Sequence, residues 1–160
     1  MTATSIHHEH GLSAMPHLIA YTLSPEVTLA GQPEPEDWKT LAELGYTTVI
    51  NIRGDAERAE AQATAAQAVG LRYVYLPLPA YMLESEHIAP LRQALEDPAN
   101  GKLFFHCRTA TRVALLWMLY RMEVQGWSYE QARDELKAAG YDEDRLEAIC
   151  YCTDDYLERK

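Results

Sequence analysis

Short apolar runs rich in β-branched residues alternate along this chain with longer segments of helical pattern, and this alternation constrains the fold most. In the intervening segments good helix formers dominate or apolar residues recur at helical spacing, and glycine or proline closes several of them. Four strands are predicted, at residues 27–30, 47–52, 73–76 and 103–107. Strands separated by helices form βαβ units, so we expect an α/β fold with a mainly parallel central sheet flanked by helices.

The predicted helices differ in how much of their surface is apolar. They are expected at residues 33–44, 55–69, 86–95, 112–124 and 129–139, and from residue 143 onward. The segment 112–124 is apolar on nearly every side, which is typical of a helix at the centre of a fold. The strand before it, 103–107, is short and apolar between turn signals, as expected for a strand buried on both faces. These two elements are therefore predicted to form the core.

The start of the chain has a different composition, being polar, rich in histidine and without a sustained period. We expect residues 1–24 to form a weakly structured arm and residues 25–160 to form a single domain. The cluster His7-His8-Glu9-His10 could chelate a metal ion, but a second ligand cluster is missing from the sequence, which favours a solvated tail. No metal site is predicted.

The charge balance excludes several classes of function. The chain carries 24 acidic and 14 basic residues, a formal net charge of −10, so nucleic acid and anionic membranes should repel it. No run approaches the roughly 20 apolar residues that a spanning helix needs, and the first residues lack the pattern of a secretory signal. Three cysteines are too few for a disulfide scaffold. A cytoplasmic protein with reduced thiols is therefore expected.

The six residues from Cys107 to Arg112 have the pattern of a nucleophile in an anion-binding turn. Cys107 ends a predicted buried strand and Arg112 opens the following helix, which places the turn at the sheet edge where ligands of α/β proteins bind. The helix N-terminus, with Arg108 and Arg112, should hold an anion and favour the thiolate of Cys107. The alternative is a buried apolar cysteine beside an exposed Arg112. His106 is a candidate site residue, for which support of the loop is favoured over a role as a base.

Several segments together resemble one known family. The matching motifs are His106-Cys107-x4-Arg112, Gly31-Gln32-Pro33, Trp38-x-x-Leu41-Ala42-x-Leu44-Gly45, Val49-Ile50-Asn51-Ile52-Arg53 and Leu116-Trp117-x-Leu119-Tyr120-Arg121. Over about residues 27–140 the sequence resembles bacterial phosphatase-like proteins related to the phosphatase-like domain of β-lactamase hydrolase-like proteins. The dual-specificity and tyrosine phosphatases are their relatives.

The resemblance implies a cysteine-phosphatase fold and an enzyme that hydrolyses a phosphorylated small molecule or phosphopeptide. No cofactor is expected. Cys107 would attack phosphorus and carry a thiophosphate, while Arg112 would hold the equatorial oxygens in a bidentate fork. Backbone N–H groups of the loop would complete the anion cradle. The residues of that cradle are Arg108, Thr109, Ala110 and Thr111.

Three departures from the family pattern keep other functions open. Four residues separate Cys107 from Arg112, where the phosphatases at large have five and rhodanese-type sulfurtransferases have a loop like this one. Ala110 replaces the usual glycine and would be strained if the backbone there needs a positive φ. Val113 replaces a hydroxyl residue that follows the arginine in tyrosine phosphatases. A sulfurtransferase with a persulfide on Cys107 and an inactive anion-binding module are the alternatives.

The proton donor is the least defined element of the predicted site. Phosphatases of this class use an aspartate some thirty residues before the cysteine, but no aspartate lies between Asp55 and Asp97. Glu84 and Glu86 are the candidate general acids, and each could instead be a solvated residue at a helix start. Transfer of sulfur would need no such acid.

Two other features have open interpretations. Cys150 and Cys152 are expected to be packed helix cysteines, with a resolving thiol for Cys107 as the alternative. Arg53, at the end of the second predicted strand, is expected either to face the same crevice or to form a surface ion pair with Asp55 or Glu57.

Overall fold

The computed structural model describes residues 12–79 and 82–160, which include a five-stranded sheet. The strands follow the spatial order β1-β2-β5-β3-β4. They are β1 (Ala20–Ser24), β2 (Val27–Ala30), β3 (Thr48–Asn51), β4 (Arg72–Tyr75) and β5 (Leu103–His106). β1 pairs with β2 antiparallel, and the other three pairings are parallel. The predicted α/β fold with a mainly parallel sheet is confirmed.

The helices lie close to their predicted positions. They are α1 (Asp37–Glu43), α2 (Ala56–Ala68), α3 (Ile88–Leu95), α4 (Thr111–Glu123), α5 (Tyr129–Ala138) and α6 (Glu143–Arg159). Two short 3₁₀ helices cover Leu12–Ala14 and Ser85–His87, and the second forms the turn before α3. None of the described helices has the length and apolar character needed to cross a bilayer.

β5 is the centre of the fold and separates two apolar cores. Its four residues are all buried between β2 and β3. Phe105 packs into the larger core with residues of α3, α4, α5 and α6, whereas Phe104 packs into the other with residues of α1 and α2. Because successive side chains of a strand point to opposite faces, the two phenylalanines pack against the helical layers on opposite faces of the sheet. This burial holds the end of β5, and the cysteine after it, in a fixed place.

Residues 12–24, predicted as part of a weakly structured arm over residues 1–24, contain a 3₁₀ helix and the strand β1 in the structure. Leu12 and Met15 are buried in the smaller core, and β1 pairs with β2 through a short hairpin. His17 Nε2 lies 2.9 Å from both carboxylate oxygens of the buried Asp37, and this hydrogen bond raises the pKa of His17. Strand pairing and this contact stabilise a segment that has no apolar period of its own. The histidine cluster at 7–10 lies outside the described residues.

Candidate active site

Cys107 lies on the wall of a crevice of about 270 Å³ at the carboxyl edge of the sheet. The crevice is lined by Arg53, Gly54, Asp55, Cys107, Arg108, Thr109 and Arg112. Most of these residues directly follow two neighbouring parallel strands, β3 and β5. The last residues of these strands, Asn51 and His106, are in register. The chain leaves both strands at the same edge, which brings segment 53–55 opposite the loop 107–110. The anion-binding loop predicted at this edge therefore faces an open crevice.

The loop between β5 and α4 is held from outside by hydrogen bonds to its backbone. Cys107 N donates to the carbonyl oxygen of Ala30 at 3.1 Å, and the Arg108 carbonyl oxygen accepts from Gln32 N at 3.1 Å. The next two carbonyl oxygens accept from side chains of the C-terminal part of the chain, as described below. In a planar trans peptide the N–H points opposite to the carbonyl. The N–H groups of Thr109, Ala110 and Thr111 therefore point away from these outer partners.

Ala110 adopts a left-handed backbone conformation, with φ 71° and ψ 0°, directly before α4. The residue is fully buried, so its Cβ packs in the larger core. For an L-residue other than glycine this conformation costs about 1–2 kcal/mol. The backbone strain expected for alanine at this position is therefore present, and surrounding contacts must offset it.

Two of the arginines that line the crevice, Arg53 and Arg112, are anchored by polar contacts. Arg112 Nη2 donates to the carbonyl oxygens of Ile52 and Leu78, each at 3.2 Å. Arg53 Nη1 donates to Gln32 Oε1 at 2.9 Å, so of its two sequence-based interpretations the structure favours the crevice. Both arginines are half-buried and line the crevice with Cys107. An anion entering the crevice would meet two oriented cations and the N-terminus of α4.

His106 is buried below the loop and does not line the crevice. Burial lowers its pKa to about 4, so the imidazole is neutral near pH 7. Its Nδ1 lies 3.3 Å from the carbonyl oxygen of Cys107, and its Nε2 has no hydrogen-bond partner among the described residues. This placement favours a role for His106 in supporting the loop. A base that acts on substrate would have to reach the crevice, which His106 does not line.

The carboxyl groups are arranged differently from the sequence-based expectation. Glu84 caps the 3₁₀ turn Ser85–His87 and lines a separate cavity with Tyr156 and Lys160, while Glu86 is an exposed residue of that turn. Among the described residues that line the crevice with Cys107, Asp55 carries the carboxyl group. Its Oδ1 accepts from Arg58 N at 3.0 Å as the N-cap of α2.

The remaining loop residues and cysteines have clear positions. Arg108 and Thr109 are exposed at the crevice, and Thr111 is half-buried at the start of α4. Cys150 is half-buried and Cys152 exposed on α6, and both are free thiols. Tyr129 forms a hydrogen bond with Cys150, and burial is the main cause that raises the pKa of Tyr129. Cys150 thus packs against its own helical layer.

Sequence reasoning missed three residues of this region. Asp55 was considered only as an ion-pair partner for Arg53, although it lies four residues after the end of β3, at the edge of the sheet where the crevice opens. Tyr141 and Arg145, which hold the loop carbonyls, are 31 and 36 residues from the atoms that they contact. No local pattern marks such long-range contacts.

A buried cysteine directly after the central strand and an arginine in the first turn of the next helix, within this sheet order, define an α/β domain of the cysteine-phosphatase class. The chain belongs to the family described as "Beta-lactamase hydrolase-like protein, phosphatase-like domain", whose model matches residues 20–123. A Beta-lactamase hydrolase-like protein of Xylella fastidiosa is 27% identical over 124 residues, which cover 74% of this chain and 28% of that protein. This chain therefore spans about a quarter of the length of that relative.

A second group of relatives consists of dual-specificity phosphatases. The Dual specificity protein phosphatase TpbA of Pseudomonas aeruginosa is 30% identical over 134 residues, which cover 82% of this chain and 59% of that protein. The crystal structure of a cysteine-to-serine variant of P. aeruginosa TpbA in complex with phosphotyrosine has a TM-score of 0.66 at 23% identity, covering 88% of this chain and 86% of that one. The structural likeness confirms the predicted cysteine-phosphatase fold.

Proposed function

We propose that this chain hydrolyses phosphate monoesters through a thiophosphate on Cys107. The observation that carries the proposal is the common crevice of Cys107, Arg112 and the α4 N-terminus. In the first step the Cys107 sulfur attacks phosphorus, the phosphorus–oxygen bond to the leaving group breaks, and that oxygen takes a proton. In the second step water attacks the thiophosphate, and inorganic phosphate and the thiolate are released.

Arg112 is proposed to hold the phosphoryl oxygens during both steps. Its two hydrogen bonds to carbonyl oxygens in the described part of the chain both use Nη2, and they orient the guanidinium plane. Both edges of a guanidinium that can form a bidentate contact, Nε–Nη2 and Nη1–Nη2, include Nη2, so one of the two carbonyl contacts would be exchanged for a phosphoryl oxygen when substrate binds. Lysine has no equivalent of this bidentate contact. Loop N–H groups would meet the charge that develops on the equatorial oxygens. Arg112→Lys should therefore lose far more activity than Arg108→Lys, since Arg108 is exposed.

Asp55 is our proposed proton donor to the leaving oxygen. Asp55 lines the crevice, whereas of the candidates expected from the sequence Glu84 lines another cavity and Glu86 is an exposed residue of the turn Ser85–His87. The hydrogen bond from Arg58 N to Oδ1 orients the carboxyl group at the start of α2. Proton donation by a positioned carboxyl group typically contributes about 10²–10⁴-fold for a poor leaving group.

Phosphorylated small molecules and phosphopeptides are the proposed substrates. The TpbA variant was crystallised with phosphotyrosine, and an open crevice of about 270 Å³ leaves space outside the phosphoryl group for a side chain or small molecule. Arg53, Arg108 and Arg112 give this crevice a local positive charge, although the chain as a whole has a formal net charge of −10. The local field would attract the anionic substrate.

Phosphate release from p-nitrophenyl phosphate, compared between wild type, Cys107→Ser and Cys150→Ser, tests the proposal. We expect release that depends on Cys107 and not on Cys150. A parallel reaction with thiosulfate and cyanide measures thiocyanate, the product of sulfur transfer. The phosphatase names of the relatives favour phosphoryl transfer. Thiocyanate without phosphate would establish sulfur transfer instead, and neither product would indicate an anion-binding module.

A further inference from the structure

Two side chains from beyond the family match contact the anion loop from its outer side. Tyr141, between α5 and α6, donates its hydroxyl proton to the Ala110 carbonyl oxygen at 2.8 Å. Arg145, in the first turns of α6, donates through Nη1 to the Thr109 carbonyl oxygen at 2.6 Å. The family model ends at residue 123, so neither residue belongs to the matched segment.

These two side chains are themselves held in place. The Tyr141 ring is buried and stacks on Tyr21 of β1 with 3.8 Å between ring centroids. The Arg145 guanidinium lies 5.9 Å from the centroid of the same Tyr21 ring. Burial raises the pKa of Tyr141 well above its ordinary value, so its hydroxyl keeps the proton that it donates. Both donors thus contact β1 as well as the loop.

The two contacts bracket the strained residue of the loop. The Thr109 carbonyl belongs to the peptide before Ala110, and the Ala110 carbonyl belongs to the peptide after it. The orientations of these two peptide planes set φ and ψ of Ala110, which is left-handed. Without external contacts an alanine would relax toward ordinary dihedral angles and rotate both planes. The N–H groups in those planes belong to Ala110 and Thr111.

We infer that Tyr141 and Arg145 are positioning residues that hold Ala110 in its left-handed conformation and thereby aim the loop N–H groups at the phosphoryl oxygens. The inference rests on the proposed function, since it assigns these residues to the same anion site. A hydrogen bond to a carbonyl also polarises the N–H of the same peptide, which strengthens that N–H as a donor to an anion.

The test compares Tyr141→Phe and Arg145→Gln with two matched variants. Tyr120→Phe removes the hydroxyl that donates to Glu96, near the far end of α4, and Arg159→Gln removes an ion pair at the far end of α6. For Tyr141→Phe and Arg145→Gln, called the loop variants below because both remove a contact to the loop, we expect kcat for p-nitrophenyl phosphate to fall about tenfold. The inhibition constant of vanadate should rise by about the same factor. KM should change less, because the contacts act mainly on the transition state. Both matched variants should keep the wild-type values.

A second measurement separates positioning from general stability. Glycine adopts the left-handed conformation without strain, so the Tyr141→Phe loss should be smaller in the Ala110→Gly background. A role limited to stabilising the fold would give equal losses in both backgrounds, accompanied by a lower melting temperature. Equal losses would overturn the inference, as would wild-type kcat and vanadate inhibition in both loop variants.

The outcomes also distinguish this inference from the proposed function. If the wild type hydrolyses phosphate esters but the loop variants do so equally well, the function stands and the positioning role fails. If the wild type has no Cys107-dependent hydrolysis yet binds vanadate, and the variants bind it less tightly, the positioning role stands and hydrolysis fails. A wild type that binds neither vanadate nor phosphate would overturn both.

Discussion

Replacing Gly31 by alanine should displace the anion loop, because this glycine lies against the backbone of that loop. A Cβ at residue 31 would be 2.9 Å from the Arg108 carbonyl oxygen and 3.4 Å from the Ile19 side chain. Gly31 also forms an isolated β-bridge with Thr109, and its N–H donates to the Ile19 carbonyl oxygen at 2.8 Å. The added methyl group therefore has the loop backbone on one side and the half-buried Ile19, directly before β1, on the other.

The magnitude follows from two opposing effects on the free energy of unfolding. Overpacking against a fixed backbone costs about 1–3 kcal/mol. Replacing glycine also stabilises the folded state by about 0.4–1 kcal/mol through the unfolded chain. The difference is a net loss of about 0–2.6 kcal/mol, and its midpoint of about 1.3 kcal/mol lowers the melting temperature of a domain of this size by about 3–5 °C. Because the Arg108 carbonyl must move, kcat should fall by about tenfold or more, even where the variant is fully folded.

Thermal unfolding by circular dichroism and phosphate release at 25 °C measure these two quantities. Gly54→Ala is the stability control, since a Cβ there has no atom within 4 Å among the described residues. Gly101→Ala is the activity control: its φ is 56° and its Cβ would lie 2.7 Å from Thr47 Oγ1, at the opposite edge of the sheet. It should destabilise the fold and leave kcat per folded molecule unchanged. A Gly31→Ala variant with wild-type melting and wild-type kcat would refute the reasoning.

Three further predictions concern a proton donor, backbone strain and pH. Asp55→Asn should reduce hydrolysis of an alkyl phosphate much more than hydrolysis of p-nitrophenyl phosphate, whose leaving group needs less protonation. Ser128→Ala, which removes the side-chain N-cap of α5, should change neither, and equal losses of Asp55→Asn on both substrates would contradict a proton donor. Ala110→Gly should leave the free energy of unfolding within about 1 kcal/mol of wild type, because relief of strain offsets the lost burial of the methyl group. Ala114→Gly in α4, where no strain is relieved, should cost about 2 kcal/mol. Chemical denaturation measures both free energies, and equal costs would argue against strain at Ala110. The hydrogen bond to its buried aspartate raises the pKa of His17, so the contact stabilises the fold below the ordinary histidine pKa and is lost as the pH rises past the raised value. His17→Gln should therefore melt below wild type at about pH 5.5 and together with it at about pH 9, and a difference independent of pH would contradict this.

The sequence predicted the elements whose stability depends on their own pattern. β2 has the predicted bounds, and the all-round apolar character of α4 correctly indicated a central helix. β1 was not predicted, because its five residues, Ala-Tyr-Thr-Leu-Ser, are half-exposed for the most part and follow a polar, histidine-rich stretch. This segment forms a strand because it pairs with β2, a tertiary effect that outweighs local propensity.

The same distinction applies to the candidate site. Cys107, Arg112 and the strained Ala110 lie within six residues, at a strand–helix junction that the alternating pattern reveals. Asp55, which lines the crevice with this loop, follows a different strand, so its place in the site could not be found by reading along the chain from Cys107. Nor does any sequence period relate the loop to Tyr141 and Arg145, because their contacts arise only when α6 packs on α4.

The attachment of the anion loop to both β1 and α6 limits how such domains can be recombined. A chimera joined at the boundaries of the family match would inherit the reacting sulfur and guanidinium but would take its outer hydrogen-bond donors from a foreign C-terminal segment. Exchange between relatives would then transfer the chemistry without the geometry that sets its rate. Turnover in this family should therefore vary with residues that the shared motif does not contain.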